Sequence, residues 1–207
     1  MKLPIFTSFI LLVIITQIAI RRSDSKAQKA ENDFWERERQ ANGTRRKSLE
    51  NLNYIHIPLD KLPFGIMPEN TEVMSCESGI KGLSNVKIVN FTGYSNTDLK
   101  LEYGAPNITE LSNYDQNYTL LVTTLQKWAK ELYNAGYYAE ATTILEYAVS
   151  TRSDITASYR LLCDMYQSKL GLSTDEMKKK VDALVPIAES LNSLSKTQIL
   201  ECIGKVS

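Results

Sequence analysis

LQKWAKEL at residues 125–132 is answered by YRLLCDMY at residues 159–166, an echo across 34 positions. Each octet sets bulky side chains around one small residue: Leu125, Trp128, Ala129 and Leu132, then Tyr159, Leu162, Cys163 and Tyr166. Steps of three and four place these groups on one face of an α-helix. The small residue lets a neighbouring helix approach, and the large ones fill the groove on either side. A fixed period of this length marks helix–turn–helix units that bury their apolar faces by stacking.

The helical pattern extends outward from these octets. Leu121 carries the first stripe back toward Tyr114, and Gly136 follows it, where a left-handed residue closes a helix. Tyr138, Ala141, Ile144, Leu145 and Ala148 make the next stripe, and Arg152-Ser153-Asp154 breaks it. Ser173 and Glu176 form a capping-box signature that opens a further helix. Pro186 is expected to kink or split that helix. Ser195 begins a last short helix carrying Ile199, Leu200 and Ile203. Residues 114–207 therefore read as one helical domain.

The run from Tyr118 to Ser153 resembles a tetratricopeptide repeat. The matching residues are Leu125, Trp128, Ala129, Leu132, Gly136, Ala141, Leu145 and Ala148, with Ser153 where that family places proline. Tyr159, Leu162, Cys163 and Tyr166 match the first helix of a second unit, which then departs from the pattern. Asp175 falls where the small packing residue belongs, and Ala183 arrives eight residues late. The resemblance implies a short α-solenoid or antiparallel bundle that holds a peptide or partner helix along a concave face. It implies no catalytic residues. So few repeats leave apolar end faces, which residues 52–113 and the last helix are expected to cover.

Residues 52–113 read as a small mixed α/β cap. Tyr54 to Ile57 and the β-branched run Val86 to Phe91 are strand-like, and Pro58, Pro63, Gly65 and Pro68 interrupt regular structure. Thr71 to Ser84 predicts a helix with Val73, Met74, Cys76, Ile80 and Leu83 on its apolar side. Thr97 is expected to cap a brief helical turn that Gly104 stops.

At the amino terminus, Leu3 to Ile20 carry no charge. Eighteen helical residues rise about 27 Å, close to a hydrocarbon core of roughly 30 Å. Residues 1–22 are therefore expected to be a single-pass transmembrane anchor contacting the bilayer through residues 3–20. A cleaved signal peptide competes, with Lys2 as its basic leader, but Gln17 to Arg22 offers no small-x-small cleavage site. Residues 23–51 form a charged juxtamembrane linker, helical from Asp24 to Ala41. Arg21, Arg22, Arg45, Arg46 and Lys47 are available there for weak contact with anionic lipid. The excess of Lys and Arg after the span places the domain on the cytoplasmic face. Three cysteines, an odd number, fit a reducing compartment. The acceptor patterns at Asn42, Asn90, Asn107 and Asn117 point instead to an extracytoplasmic side. The short basic-flanked anchor resembles that of a bacterial membrane protein. Phe34 and Trp35 are expected to dock on protein.

No residue set supports a reaction. His56 is the sole histidine and stands between isoleucines, which favours a structural role. The cysteines lie 87 and 39 residues apart, without metal-ligand spacing. Gly204-Lys205 lacks the upstream glycine of a phosphate loop. Formal charge balances at zero, so no global field recruits nucleic acid. The polar run Asn90 to Asp98 reads as a turn, with a small-ligand or hydrolytic site as its alternative.

The fold class expected is mainly α: a transmembrane helix, a mixed α/β segment, then a tetratricopeptide-like bundle. The function expected is a membrane-anchored interaction module without catalysis or cofactor. An inert tether of a membrane complex and an extracytoplasmic ligand-binding domain are the alternatives. Tyr133, Tyr137, Tyr138 and Tyr159 are the aromatic candidates for contact with a protein or peptide partner.

Overall fold

The computed structural model describes residues 3–206, leaving aside the side chains of residues 3–7 and 9. Its helices are α1 (Leu3–Asn42), α2 (Thr71–Leu83), α3 (Asn96–Tyr103), α4 (Ile108–Asn134), α5 (Tyr138–Ser150), α6 (Thr156–Asp164), α7 (Thr174–Glu189) and α8 (Lys196–Gly204). A 3₁₀ turn (Ala105–Asn107) precedes α4, and a π turn (Met165–Lys169) follows α6. The chain divides into two compact units, Met1–Ser48 with Ser95–Ile108, and Leu49–Tyr94 with Thr109–Ser207.

The second unit is built around one apolar core. Leu121, Leu125, Trp128, Ala129 and Leu132 of α4, Ala141, Ile144, Leu145 and Ala148 of α5, and Tyr159, Leu162, Cys163 and Tyr166 all lie inside it. Val181, Leu184 and Ala188 of α7 join them, with Ile199 and Ile203 of α8. Trp128 packs against Phe64 at 5.1 Å between ring centroids. Gly136, at φ +88°, ends α4: the N–H of Tyr137 reaches back to the Leu132 carbonyl at 2.9 Å. That bond satisfies a carbonyl the helix would otherwise leave open. Ser173 and Glu176 cap the start of α7 reciprocally. α7 then runs through Pro186 to Glu189 without dividing. Pro186 sits in the last turn, so the expected kink has little helix left to bend.

The mixed α/β segment is corrected: no strand forms among the described residues. Tyr54 to Ile57 and Val86 to Phe91 meet through a bond from the Ile55 N–H to the Ile88 carbonyl, 2.9 Å long. A ladder does not follow, because Val89 N–H turns to the Tyr114 carbonyl and Phe91 N–H to the Asp115 carboxylate. Ile88 and Val89 are both buried, where a strand with one wet face would alternate. The segment is an extended strap that a helix, not a partner strand, satisfies.

In the first unit α3 lies against α1. Arg37 pairs with Asp98 at 2.5 Å, the Thr97 hydroxyl donates to Glu38, and Lys100 reaches Glu38 at 3.3 Å and Asn42 at 2.8 Å. Ser95, rather than Thr97, is the N-cap of α3, in a capping box with Asp98. Phe34 and Trp35 are 55% and 56% exposed and stack edge-on at 5.3 Å, so they touch each other and are not docked.

The membrane anchor is also corrected. Among the described residues, no helix is long and apolar enough to cross a membrane. The helix expected over 24–41 and the apolar run before it are one element, α1. The uncharged residues of α1 run straight into Arg21 and Arg22 on the same helix. The expected bilayer contact, single-pass topology and cytoplasmic-face placement therefore lose their basis. Lys2, read above as a basic leader, lies outside the described residues.

Candidate functional site

The tyrosines nominated from the sequence separate in space. Tyr133 near the end of α4 and Tyr138 at the start of α5 meet edge-to-face, 5.3 Å apart. The short loop closed by Gly136 turns α5 back on α4 and brings their rings together. Tyr137 between them is 41% exposed. Tyr159 is elsewhere, fully buried, its hydroxyl donating to the Ser153 carbonyl at 3.0 Å.

The π turn completes this corner. Its extra residue per turn closes with the Leu170 N–H on the Met165 carbonyl at 3.1 Å. Tyr133 donates to Asp164 at 2.5 Å, Ser168 donates to the same carboxylate at 3.2 Å, and Lys169 stands 5.7 Å over the Tyr138 ring. Farther along the seam, the Glu146 carboxylate accepts from Tyr166 and from Lys180, each at 2.8 Å. Lys180 also lies 5.3 Å over the Tyr166 ring, so the ammonium has both an anion and a π face. This seam is not legible in the sequence, because Glu146, Tyr166 and Lys180 come from three separate elements.

Burial and hydrogen bonding hold these phenols and thiols protonated and the capping carboxylates ionised. Burial, then the Glu146 bond, push the Tyr166 hydroxyl far above the usual phenol range. The Asp164 bond and then burial raise Tyr133. Burial pushes Tyr147 and Tyr159 up to about 12. Burial also raises the Cys76 thiol and takes Cys163 to about 12. The carboxylates move the other way, held down first by the hydroxyls of Thr97 at Glu38, Ser95 at Asp98 and Ser173 at Glu176. Glu72 raises Lys127.

The polar run Asn90 to Asp98 is consumed by local structure. Asn90 accepts from the Thr92 N–H at 2.8 Å and donates to the carbonyls of Thr151 and Arg152 at 3.1 and 3.2 Å. It thereby holds Arg152, which ends α5 with φ +62°. Ser95 and Asp98 are spent on capping α3. Asn90, Ser95, Thr97 and Asp98 are thus each engaged by neighbouring protein groups.

The proposed lipid-contact cluster divides in the same way. The Arg46 guanidinium donates to Asn107 at 2.7 Å, and the Lys47 ammonium donates to the carbonyls of Leu101 and Glu102 at 3.2 and 2.7 Å. Lys47 thus sits at the negative end of α3, where a cation is favoured. Arg45, Arg21 and Arg22 are exposed. Asn107, read above only as an acceptor match, is fully buried and donates to the Lys47 and Tyr103 carbonyls at 2.8 Å each. No group of His, Cys, Asp and Glu among the described residues is arranged to hold a metal ion.

No known family matches. Comparison with family models, with curated proteins and with solved structures finds no similar protein in any of the three. The tetratricopeptide resemblance, and the peptide-binding groove it implied, are corrected accordingly. The helices agree with that correction: α4 has 27 residues, α5 has 13 and α6 has 9, and a π turn interrupts the second pair.

Proposed function

We propose that this chain acts by shape and not by chemistry, as a non-catalytic helical module. The observation that carries the reading is the direction of the resolved pKa shifts. A general base or nucleophile works best with its pKa drawn toward the operating pH. Here phenols, thiols and Lys127 are driven up, and carboxylates down. His56 is exposed, away from any oriented acid partner among the described residues. Of the corner's three tyrosines, Tyr133 and Tyr138 are held by Asp164 and by the Lys169 cation, and Tyr137 is exposed.

Active-site-directed probes test the reading. The folded protein is treated at neutral pH with a fluorophosphonate, which reports activated serines, and with an aryl sulfonyl fluoride, which reports activated tyrosines and lysines. The expected result is slow labelling, no faster than in the urea-unfolded chain. Rapid stoichiometric labelling of a single side chain, abolished on unfolding, would overturn the reading.

A further inference from the structure

Asn42 is the last residue of α1, and of the chain's thirteen asparagines it alone is followed by glycine. Every other asparagine precedes a residue whose Cβ crowds its own backbone nitrogen. Asn42 and Gly43 are both exposed. The Gly43 N–H is shared between the Arg39 and Gln40 carbonyls at 3.2 Å each. A long three-centre bond in the last turn is a weak tie, and fraying of the helix end releases it. The Asn42 side chain meets a cation, because its Oδ1 accepts from the Lys100 ammonium of α3 at 2.8 Å. Glu38 steadies that ammonium at 3.3 Å, and both side chains are only 20% exposed, so solvent screens the charge in part.

We propose that Asn42 and Gly43 form a self-modifying site, in which the asparagine is converted through a cyclic imide with water as the only co-reactant. The Gly43 nitrogen loses its proton to solvent and attacks Asn42 Cγ. Negative charge develops on Oδ1, where Lys100 already donates, as an oxyanion donor does. The Cγ–Nδ2 bond then breaks, Nδ2 takes up a proton, and ammonia leaves. Water opens the imide at Cγ to give aspartate, or at the Asn42 backbone carbonyl to give isoaspartate. No electrons are transferred: an amide and water become a carboxylate and ammonia. Aspartate leaves a carboxylate against Lys100. Isoaspartate lengthens the backbone by one carbon between Ala41 and Thr44. The Thr44 N–H is bonded to the Ala41 carbonyl, and the Thr44 carbonyl to the Ala105 N–H, at 3.1 Å each, so the added carbon strains the turn that leaves α1.

The whole folded chain is held in ammonia-free buffer at neutral to mildly alkaline pH, sampled over weeks and mapped by peptide mass spectrometry. The Asn42 peptide is expected to gain the mass that exchanging an amide NH2 for OH adds, while the other asparagines do not change. The rate should rise several-fold per pH unit, because the Gly43 nitrogen reacts deprotonated. A Cβ at residue 43 meets only carbonyl oxygens at 3.5 and 3.6 Å, so Gly43→Ala keeps the turn and slows the conversion several-fold. Lys100→Met also slows it several-fold, and Lys100→Arg, which keeps a cationic donor, restores it. In urea the Lys100 variants convert alike. No gain at Asn42 in the folded chain while the unfolded chain converts, equal gain at other asparagines, or a folded rate indifferent to Lys100 would each overturn the proposal.

Discussion

Gly93 and Gly136 give a matched pair of substitutions. Their backbones are nearly the same, at φ +89° and +88°. Their surroundings are opposite. A Cβ at Gly136 meets nothing within 4 Å, whereas one at Gly93 falls 2.6 Å from Asn192 Cγ and closer still to the Asn192 carbonyl. An alanine in the left-handed region costs about 1–2 kcal/mol, less about 0.4–1 kcal/mol from restricting the unfolded chain. Gly136→Ala should therefore lose about 1 kcal/mol. Gly93→Ala bears the same strain plus about 1–3 kcal/mol for overpacking against a backbone that cannot swing away. For a unit of about 145 residues, the expected falls in melting temperature are about 3 °C and about 6–15 °C. Thermal melts followed by tryptophan fluorescence in a Trp35→Phe background, where buried Trp128 alone reports, measure the difference. Asn192→Ala added to Gly93→Ala should recover part of the loss, since the side chain leaves and the carbonyl stays. Equal shifts for the two alanines would refute the close approach of residue 93 to the loop between α7 and α8.

Two further outcomes follow from the bonding. Asn107→Ala takes two donors from the Lys47 and Tyr103 carbonyls and the acceptor from Arg46. It should cost the first unit about 2–4 kcal/mol, seen as faster amide exchange over residues 44–48 and 103–107; unchanged protection would contradict the hub. The second outcome concerns alkaline pH. Tyr147, Tyr159 and Cys163 have folded pKa values raised to about 12, against unfolded values near 10 and 8.5. The native state thus holds these protons more tightly than the unfolded chain. That contribution is complete below roughly pH 8.5 and is lost as pH rises toward about 12. Urea unfolding at a series of pH values should show the loss, and a flat profile from pH 9 to 12 would rule it out.

Much of the helical unit was legible because its signals are local. The stripes through Leu125 and Tyr159, the stop at Gly136 and the Ser173–Glu176 cap depend on residues within two turns of one another. The Val86–Phe91 run misled because β-branching measures fit to an extended backbone, and an extended strap and a strand share that backbone. They differ in which group takes the hydrogen bonds, and here helix α4 takes them through Tyr114 and Asp115. The apolar run before Arg21 read as a separate element because hydropathy changes sharply there, while the backbone of α1 continues through the change. The family resemblance rested on spacing within one helix pair, and spacing does not require that the next pair repeat it.

By itself the sequence determined where helices run and which face of each is apolar, since periodicity, caps and left-handed glycines act over a few residues. Only the tertiary structure decided which groups from distant segments meet: Tyr133 with Asp164, Glu146 with Lys180, and Asn107 with Lys47. Those meetings depend on how loops return one helix against another, and a single position in the chain carries no record of its partner across the fold.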